Sequence, residues 1–235
     1  MRVFAVCVWI TAATACASAP PPRISAAADA AAAGMVDVAT LAPDIRIDMR
    51  YAGRDNFIGD PVDGYQAPRC YLLRPVAEAL ARVQAGLRER GESLQVFDCY
   101  RPVRAVQHFV RWARDPDDQR NKARHYPNVD KRRLFAEGYI AERSGHSRGA
   151  TVDLGLLRCP ARDRCTPVDM GTAFDLFDAR AHTASTDVSP AQRDNRQSLL
   201  RAMQAQGFVN YPLEWWHYTW QPEPTPRTAY DFPVR

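Results

Sequence analysis

The feature that most constrains this chain is a pair of short segments that together carry two imidazoles and two carboxylates. The first reads Ser-Gly-His-Ser-Arg-Gly-Ala-Thr-Val-Asp and contains His146 and Asp153; the second reads Glu-Trp-Trp-His and contains Glu214 and His217. A catalytic zinc ion typically takes three protein ligands of these kinds and keeps a further position open for water. A nearby carboxylate is needed to accept the proton of that water. The chain must therefore fold so that two segments about sixty residues apart meet.

The spacing within each segment predicts how the chain presents these groups. His146 and Asp153 are seven positions apart, an odd separation, so on one straight strand they would face opposite sides of the sheet. We expect a turn between them, with Gly149 free to adopt a positive φ. Glu214 and His217 are three apart, but the neighbouring proline and aromatic residues disfavour a regular helix. We expect Glu214 on a turn and His217 on the strand that follows.

Length and composition set the class of protein. The 235 residues suffice for one domain with a substantial core, and 46% hydrophobic with 25% charged residues is ordinary for a globular protein. The formal net charge of +4 is small, and the basic residues are interspersed with acidic ones. This distribution argues against a nucleic-acid partner.

The N-terminal region has the composition of a targeting segment. Residues 1–19 combine one arginine, a short apolar run and small residues, which predicts an export signal too short to span a bilayer. Cys16 follows Ala-Thr-Ala, so simple cleavage and lipidation of Cys16 with a membrane tether both stay open. Residues 20–35, rich in proline and alanine, predict a flexible tether, and residues 36–235 a single catalytic domain. The expected location is the periplasm or cell envelope.

Export changes the interpretation of the cysteines. Four of them, Cys70, Cys99, Cys159 and Cys165, lie outside the leader and would meet an oxidising compartment. The short 159–165 loop favours a local disulfide, which leaves Cys70 to pair with Cys99. A four-cysteine zinc site needs two close pairs, and the first two cysteines are too far apart in sequence for that.

The order of elements predicts an α+β fold with a central, mostly antiparallel sheet flanked by helices. Polar and apolar residues alternate over 44–51, which predicts a half-buried strand. Glycine and proline punctuate residues 52–70, a long loop of the kind that often walls a site. We also expect strands at 94–100, 151–157, 208–211 and 215–220, helices that start at Pro75, Pro102 and Pro190, and a short helix near 131–137. The basic cluster at 131–133 is expected to be a solvated helix face.

Arg101 lies between the buried strand at 94–100 and the helix that starts at Pro102. Active-site groups are often mounted at such junctions, although a surface arginine on a connecting turn is an equal alternative. Asp175 lies between two phenylalanines, and its spacing alone does not distinguish a site residue from a turn aspartate. His182 has the same ambiguity and is expected to be structural. His108 and His125 lack a partner at ligand spacing and are expected to be structural or surface residues.

At these motifs the chain resembles a known family. Ser-x-His-x-x-Gly-x-x-x-Asp followed by Glu-Trp-Trp-His is similar to the pattern of the bacterial D-alanyl-D-alanine dipeptidases, which are related to the zinc D,D-carboxypeptidases and the Hedgehog-like fold. Asp-Cys-Tyr-Arg-Pro at 98–102 and Met-Gly-Thr-x-Phe-Asp at 170–175 fall in the same order. The resemblance covers about residues 36–222, and the two cysteines of the 159–165 insertion depart from it.

The resemblance implies a zinc-dependent hydrolysis of D-alanyl-D-alanine to two D-alanines, in cell-wall metabolism, and a role for each matching residue. The implied roles are zinc binding by His146, Asp153 and His217, general base by Glu214, oxyanion stabilisation by Arg101, dipeptide binding by Ser144 and Asp175, and shaping of the pocket by Tyr51 and Asp98. Asp175 would take the ammonium group. The 159–165 insertion could alter the cavity rim and thereby the length of substrate accepted.

Two other functions compete with the dipeptidase. A zinc D,D-carboxypeptidase or endolysin would act on longer cell-wall peptides and would need an open groove. A non-catalytic zinc-binding module on the same fold is a third class, although the presence of Glu214 and Arg101 argues against it. The expected partner is a small D,D-dipeptide, and no protein partner is implied.

Overall fold

The computed structural model describes residues 22–161 and 164–235. The strands are β1 (Arg23–Ile24), β2 (Met35–Asp37), β3 (Arg46–Ile47), β4 (Tyr71–Leu73), β5 (Glu92–Asp98), β6 (Thr151–Ala161), β7 (Arg164–Pro167), β8 (Phe208–Asn210), β9 (His217–Trp220) and β10 (Thr228–Ala229). The α-helices are α1 (Arg74–Arg88), α2 (Val103–Arg114), α3 (Lys122–His125) and α4 (Pro190–Gln204). The 3-10 turns lie at Val38–Thr40, Arg50–Ala52, Lys131–Arg133, Gly145–Arg148 and Ala179–Ala181.

The central sheet has the strand order β3-β5-β6-β9-β8, with β7 also paired to β6. Within the described residues, β3 pairs with β5 in parallel and the other pairs of this sheet are antiparallel. The predicted α+β fold with a mostly antiparallel sheet is therefore confirmed. The strand β6 is the central strand of this sheet, and its first residues are paired on both edges.

The helices begin where the sequence indicates. Ser189 caps α4 through a complete capping box with Gln192, and a proline occupies the first turn of both α1 and α4. The apolar stripe of α1, which includes Val76, Leu80 and Leu87, is fully buried. Both predicted disulfides, Cys70–Cys99 and Cys159–Cys165, are present.

The strand predicted over 44–51 is shorter than expected. Only Arg46–Ile47 forms strand, and the chain turns at Arg50–Ala52. The Asn56 side-chain amide donates to the Arg50 and Gly53 carbonyls, which holds this turn closed. The local alternation could not reveal a turn that depends on Asn56.

The flexible tether predicted over 20–35 is wrong for the residues that the structure describes. The strand β1 pairs in parallel with β10, and Ala33 and Met35 are buried. Asp29 accepts a hydrogen bond from the Ala32 amide and closes the intervening turn. Small alanine side chains allow this segment to approach the core closely, so a composition typical of linkers here forms packed structure.

The basic cluster at 131–133 is only partly solvated, and the short helix expected there is a 3-10 turn. Lys131 is 1% exposed. Its ammonium group donates to the Asp118 carbonyl at 2.7 Å and lies 4.1 Å from the centre of the Trp112 ring. The buried carbonyl and aromatic face replace the water that the sequence pattern implied for this lysine.

The predicted export signal at 1–19, including Cys16, lies outside the described residues, as do residues 20 and 21. Among residues 22–161 and 164–235, no helix is both long and apolar enough to cross a membrane.

Candidate active site

Three acidic or imidazole side chains form a row across three neighbouring strands. Asp153 on β6 stands opposite Asp98 on β5 and opposite His217 on β9. Residues directly opposite in antiparallel strands point to the same face of the sheet, with their Cβ atoms about 5 Å apart. The register thus places His217 beside Asp153, although the two residues are 64 positions apart in sequence.

His146 reaches this row from the turn that precedes β6. Ser144 caps the 3-10 turn at Gly145–Arg148 by accepting the His146 amide hydrogen bond, and Gly149 ends the turn with φ +72°. This is the turn and the positive φ that the odd spacing of His146 and Asp153 required. The His146 ring donates from Nδ1 to the Cys99 carbonyl at 2.7 Å, which leaves Nε2 free to face Asp153.

The three predicted metal ligands converge with the spacing of a tetrahedral site. His146 Nε2 is 3.2 Å from Asp153 Oδ2 and 3.3 Å from His217 Nδ1, and His217 Nδ1 is 3.0 Å from Asp153 Oδ1. Two ligands about 2.0–2.1 Å from a tetrahedral zinc ion lie about 3.3–3.4 Å apart.

A buried oxygen in this cluster also fits a cation. Asp153 Oδ1 is buried. It lies 3.0 Å from His217 Nδ1, but it accepts no hydrogen bond of good geometry from any residue of the described chain. Burial raises the pKa of Asp153, but the facing imidazoles outweigh it and bring the pKa below its usual range. Burial lowers the pKa of His146, which favours the neutral ring that binds metals. The donor set suits a divalent metal ion.

Glu214 stands beside the ligands on the turn predicted for it. Asn210 donates its side-chain amide to the Glu214 carbonyl, which fixes the turn between β8 and β9. The Glu214 carboxylate lies 3.4 Å from His217 Nδ1, and its side chain is only 14% exposed. Burial raises the pKa of Glu214 to about 7, while the neighbouring His217 opposes that rise.

Arg101 is locked in place next to the same cluster. Its Nε donates to Asp98 at 2.8 Å, and one terminal nitrogen lies 3.4 Å from Asp153 Oδ2. The guanidinium also lies 5.1 Å from the Tyr51 ring centre and 5.0 Å from that of Phe109. Burial disfavours the charged guanidinium and lowers its pKa, but Asp98 together with Tyr51, Tyr65 and Asp153 outweighs burial and raises the pKa of Arg101. The guanidinium is thus a fixed positive group.

Asp98 lies under the cavity rather than on its wall. It is fully buried and accepts hydrogen bonds from Tyr65 and Arg101. Asp98 was expected to shape the pocket; the structure places it where it orients Arg101.

Asp175 closes the inner end of the site. It adopts a left-handed conformation with φ 59°, which is unusual for a residue other than glycine. Its carboxylate accepts a hydrogen bond from the Tyr51 hydroxyl at 2.9 Å, and its carbonyl accepts one from His125 Nδ1. Burial raises the pKa of Asp175 well above its usual range, and the charge of Asp153 adds to that rise. A buried carboxylate of this kind favours a cationic partner.

These groups share one cavity of about 260 Å³. Tyr51, Arg101, Ser144, Asp153, Asp175, Glu214 and His217 line it. Residues of the segment 138–145 other than Glu142 also line it, and the described residues of the 159–165 loop are not part of the lining. The described residues of this loop therefore do not support the expectation that it alters the cavity rim, because they follow the end of β6 that is away from Asp153.

The model of the D-ala-D-ala dipeptidase family, Peptidase_M15, matches residues 31–235. The chain belongs to this family of peptidases. The match extends past the predicted resemblance on both sides and includes the C-terminal residues 223–235.

Individual dipeptidases of the family support the assignment. A D-alanyl-D-alanine dipeptidase of Streptomyces coelicolor is 46% identical over 194 residues, which covers 83% of this chain and 95% of the relative. One of Enterococcus faecium is 41% identical over 191 residues, covering 81% and 93%. One of Escherichia coli K12 is 33% identical over 188 residues, covering 78% and 83%.

Several residues of this dipeptidase-family site escaped prediction from the sequence. The Cys99 carbonyl orients His146, and Tyr65 holds Asp98. Arg143 and Tyr211 line the cavity. Arg143 directly precedes the first motif and Tyr211 lies three residues before Glu214, and this nearness was the one signal available. No sequence pattern marks a backbone carbonyl or Tyr65.

Proposed function

We propose that this chain is a zinc-dependent dipeptidase that hydrolyses D-alanyl-D-alanine to two D-alanines in the cell envelope. The observation that carries the proposal is the convergence of His146, Asp153 and His217, whose ligand atoms all lie within 4.8 Å of one another, with Glu214 3.4 Å from His217. The names of the relatives give the substrate, and the site gives the chemistry.

The metal identity follows from the donor set. Two imidazoles and one carboxylate suit zinc, although other divalent ions accept the same ligands. A bound zinc ion would polarise the scissile carbonyl and acidify water near it.

Glu214 and Arg101 complete the chemistry. Glu214 takes the proton of the attacking water and passes it to the leaving amino group. A pKa of about 7 suits both halves of that task near neutral pH. Arg101 donates hydrogen bonds to the oxygen on which negative charge develops, and Asp98 and the two aromatic rings hold it there before the reaction starts.

The cavity favours a dipeptide over a longer peptide. Its volume of about 260 Å³ is below the range of about 300–1,000 Å³ typical of sites for drug-sized ligands. Asp175 and Tyr51 close its inner end, where a free ammonium group gains an ion pair with a carboxylate and an uncharged acylated nitrogen does not. We therefore prefer the dipeptidase to the D,D-carboxypeptidase.

Export is part of the proposal. The two disulfides suit an oxidising compartment, and residues 1–19 have the composition of an export signal. Mass spectrometry of the protein recovered from the cell envelope distinguishes the two forms of export, since lipidation leaves a modified Cys16 and simple cleavage leaves an unmodified N-terminus. Recovery of the uncleaved chain from the cytoplasm would contradict export.

The deciding experiment measures D-alanine release by the purified protein, with zinc and after chelation. The substrates are D-alanyl-D-alanine, L-alanyl-L-alanine and a peptide ending in D-alanyl-D-alanine, and Glu214→Ala serves as the control for contaminating peptidases. We expect zinc-dependent release from the D,D-dipeptide alone. Cleavage of only the longer peptide would favour the carboxypeptidase, and no release from any substrate would favour a binding module.

A further inference from the structure

The cavity presents charges of both signs to its substrate. Asp153, Asp175 and Glu214 supply its carboxylates, and the two arginines that line it are Arg101 and Arg143. A free dipeptide is a zwitterion, with an ammonium group at one end and a carboxylate at the other. Asp175 at the buried end suits the ammonium group, so the carboxylate needs a cation elsewhere along the wall.

Arg101 already forms ion pairs with carboxylates of the protein. Its guanidinium contacts Asp98 and Asp153 and is 12% exposed. It lies among the reacting groups, where a peptide carbonyl rather than the terminal carboxylate belongs. A second cation is therefore required for the carboxylate end.

Arg143 has the properties that this second cation needs. It is exposed at the cavity wall, and it makes no hydrogen bond or ion pair with any other residue in the parts of the chain that the structure describes. The neighbouring Glu142 forms an ion pair with Arg114 at 2.8 Å instead. Arg143 thus carries an unmatched positive charge at the wall of the cavity.

The backbone that carries Arg143 is fixed relative to the metal ligands. Arg143 directly precedes Ser144, which caps the turn that bears His146. The side chain therefore starts one residue before a hydrogen-bonded turn that carries a metal ligand. A guanidinium can bind a carboxylate through two parallel hydrogen bonds, which fixes both its position and its orientation.

We propose that Arg143 is a specificity-determining residue that binds the C-terminal carboxylate of the dipeptide. The inference rests on the proposed function and adds an orientation to it. The ammonium group lies at the buried end beside Asp175, the peptide bond lies at the metal ligands, and the carboxylate lies at the exposed wall beside Arg143. The site thereby selects peptides whose second residue is C-terminal.

The test compares D-alanyl-D-alanine with its C-terminal amide in the zinc-loaded wild type, Arg143→Ala and Arg143→Lys. Arg201→Ala is the matched control, because this substitution removes the same charge from an exposed arginine on α4 that lies outside the cavity. We expect Arg143→Ala to raise KM for the free acid about 10-fold with kcat nearly unchanged. The KM for the amide should change little, so Arg143→Ala should lose the preference of the wild type for the acid over the amide. Arg143→Lys should retain part of that preference.

A binding measurement separates this inference from the proposed function. Calorimetric titration of both ligands into Glu214→Ala, with and without Arg143→Ala, reports binding when turnover is absent. Loss of acid-over-amide preference in binding supports the role of Arg143 even if wild type proves inactive on the dipeptide. An unchanged preference in Arg143→Ala, or an equal loss for acid and amide, overturns it while leaving the dipeptidase activity standing.

Discussion

The two ends of β6 differ in what surrounds them. At its first residues β6 is paired on both edges, and Asp153 there faces Asp98 and His217. Near its other end β6 pairs with β5 and with the short β7, and it ends beside the Cys159–Cys165 disulfide, away from the reacting groups. Asp153 and Cys159 are six residues apart, or about 20 Å along a strand. One strand thus carries the reacting groups at its enclosed end and a peripheral loop at the other.

Each end has its own disulfide, and the two differ in what they support. Cys70–Cys99 is fully buried, and the Cys99 carbonyl accepts the hydrogen bond that orients His146. The disulfides span 29 and 6 residues, for which loop closure gives about 3.6 and about 2.2 kcal/mol of stabilisation. Because those values are close, the position of each disulfide, more than its loop length, should decide its effect on activity.

The largest effect is expected from Asp153→Ala at the enclosed end. It removes a metal ligand, so zinc retention after dialysis and D,D-dipeptidase activity should both fall by more than the about 10–100-fold typical of residues that only orient ligands. Zinc content by mass spectrometry and D-alanine release measure this. Arg158→Ala at the other end is the control and should change neither, and a variant that keeps its zinc would remove Asp153 from the ligand set.

An intermediate effect is expected from the double substitution Cys70→Ala, Cys99→Ala. We expect a loss of about 3–4 kcal/mol in the free energy of unfolding. The affinity for zinc should also fall about 10-fold or more, since the Cys99 carbonyl would be held less firmly against His146. Urea unfolding and zinc titration measure the two quantities. Loss of stability with unchanged zinc affinity would mean that the disulfide supports the fold alone.

The smallest effect is expected from Cys159→Ser with Cys165→Ser. We expect a loss of about 2 kcal/mol in unfolding free energy and a kcat/KM within about twofold of wild type, because the described part of this loop does not line the cavity. The same urea and D-alanine assays apply. A change in the length of peptide accepted would show that this loop reaches the substrate after all and would erase the contrast between the two ends.

The C-terminal segment shows why parts of the site could not be predicted. The Tyr230 amide donates to the Ser147 carbonyl, and Glu223 binds Arg148 through both oxygens, so this segment supports the turn that carries His146. No local pattern in residues 223–235 reveals that contact. The burial of Lys131 and the packing of residues 22–35 are similar cases, since each depends on partners distant in sequence.

The sequence by itself determined the ligand types, the turn at Gly149, the turn that carries Glu214, the start of α4 and the pairing of the cysteines. These follow from spacings of a few residues, where backbone geometry and loop length limit the possible conformations. Only the tertiary structure decided that Asp98, Asp153 and His217 stand side by side, that Asp98 lies beneath Arg101, and that Arg143 faces the cavity without a partner. Those relations depend on strand register and on packing between distant segments, and many registers are compatible with the same local pattern until the whole core has formed.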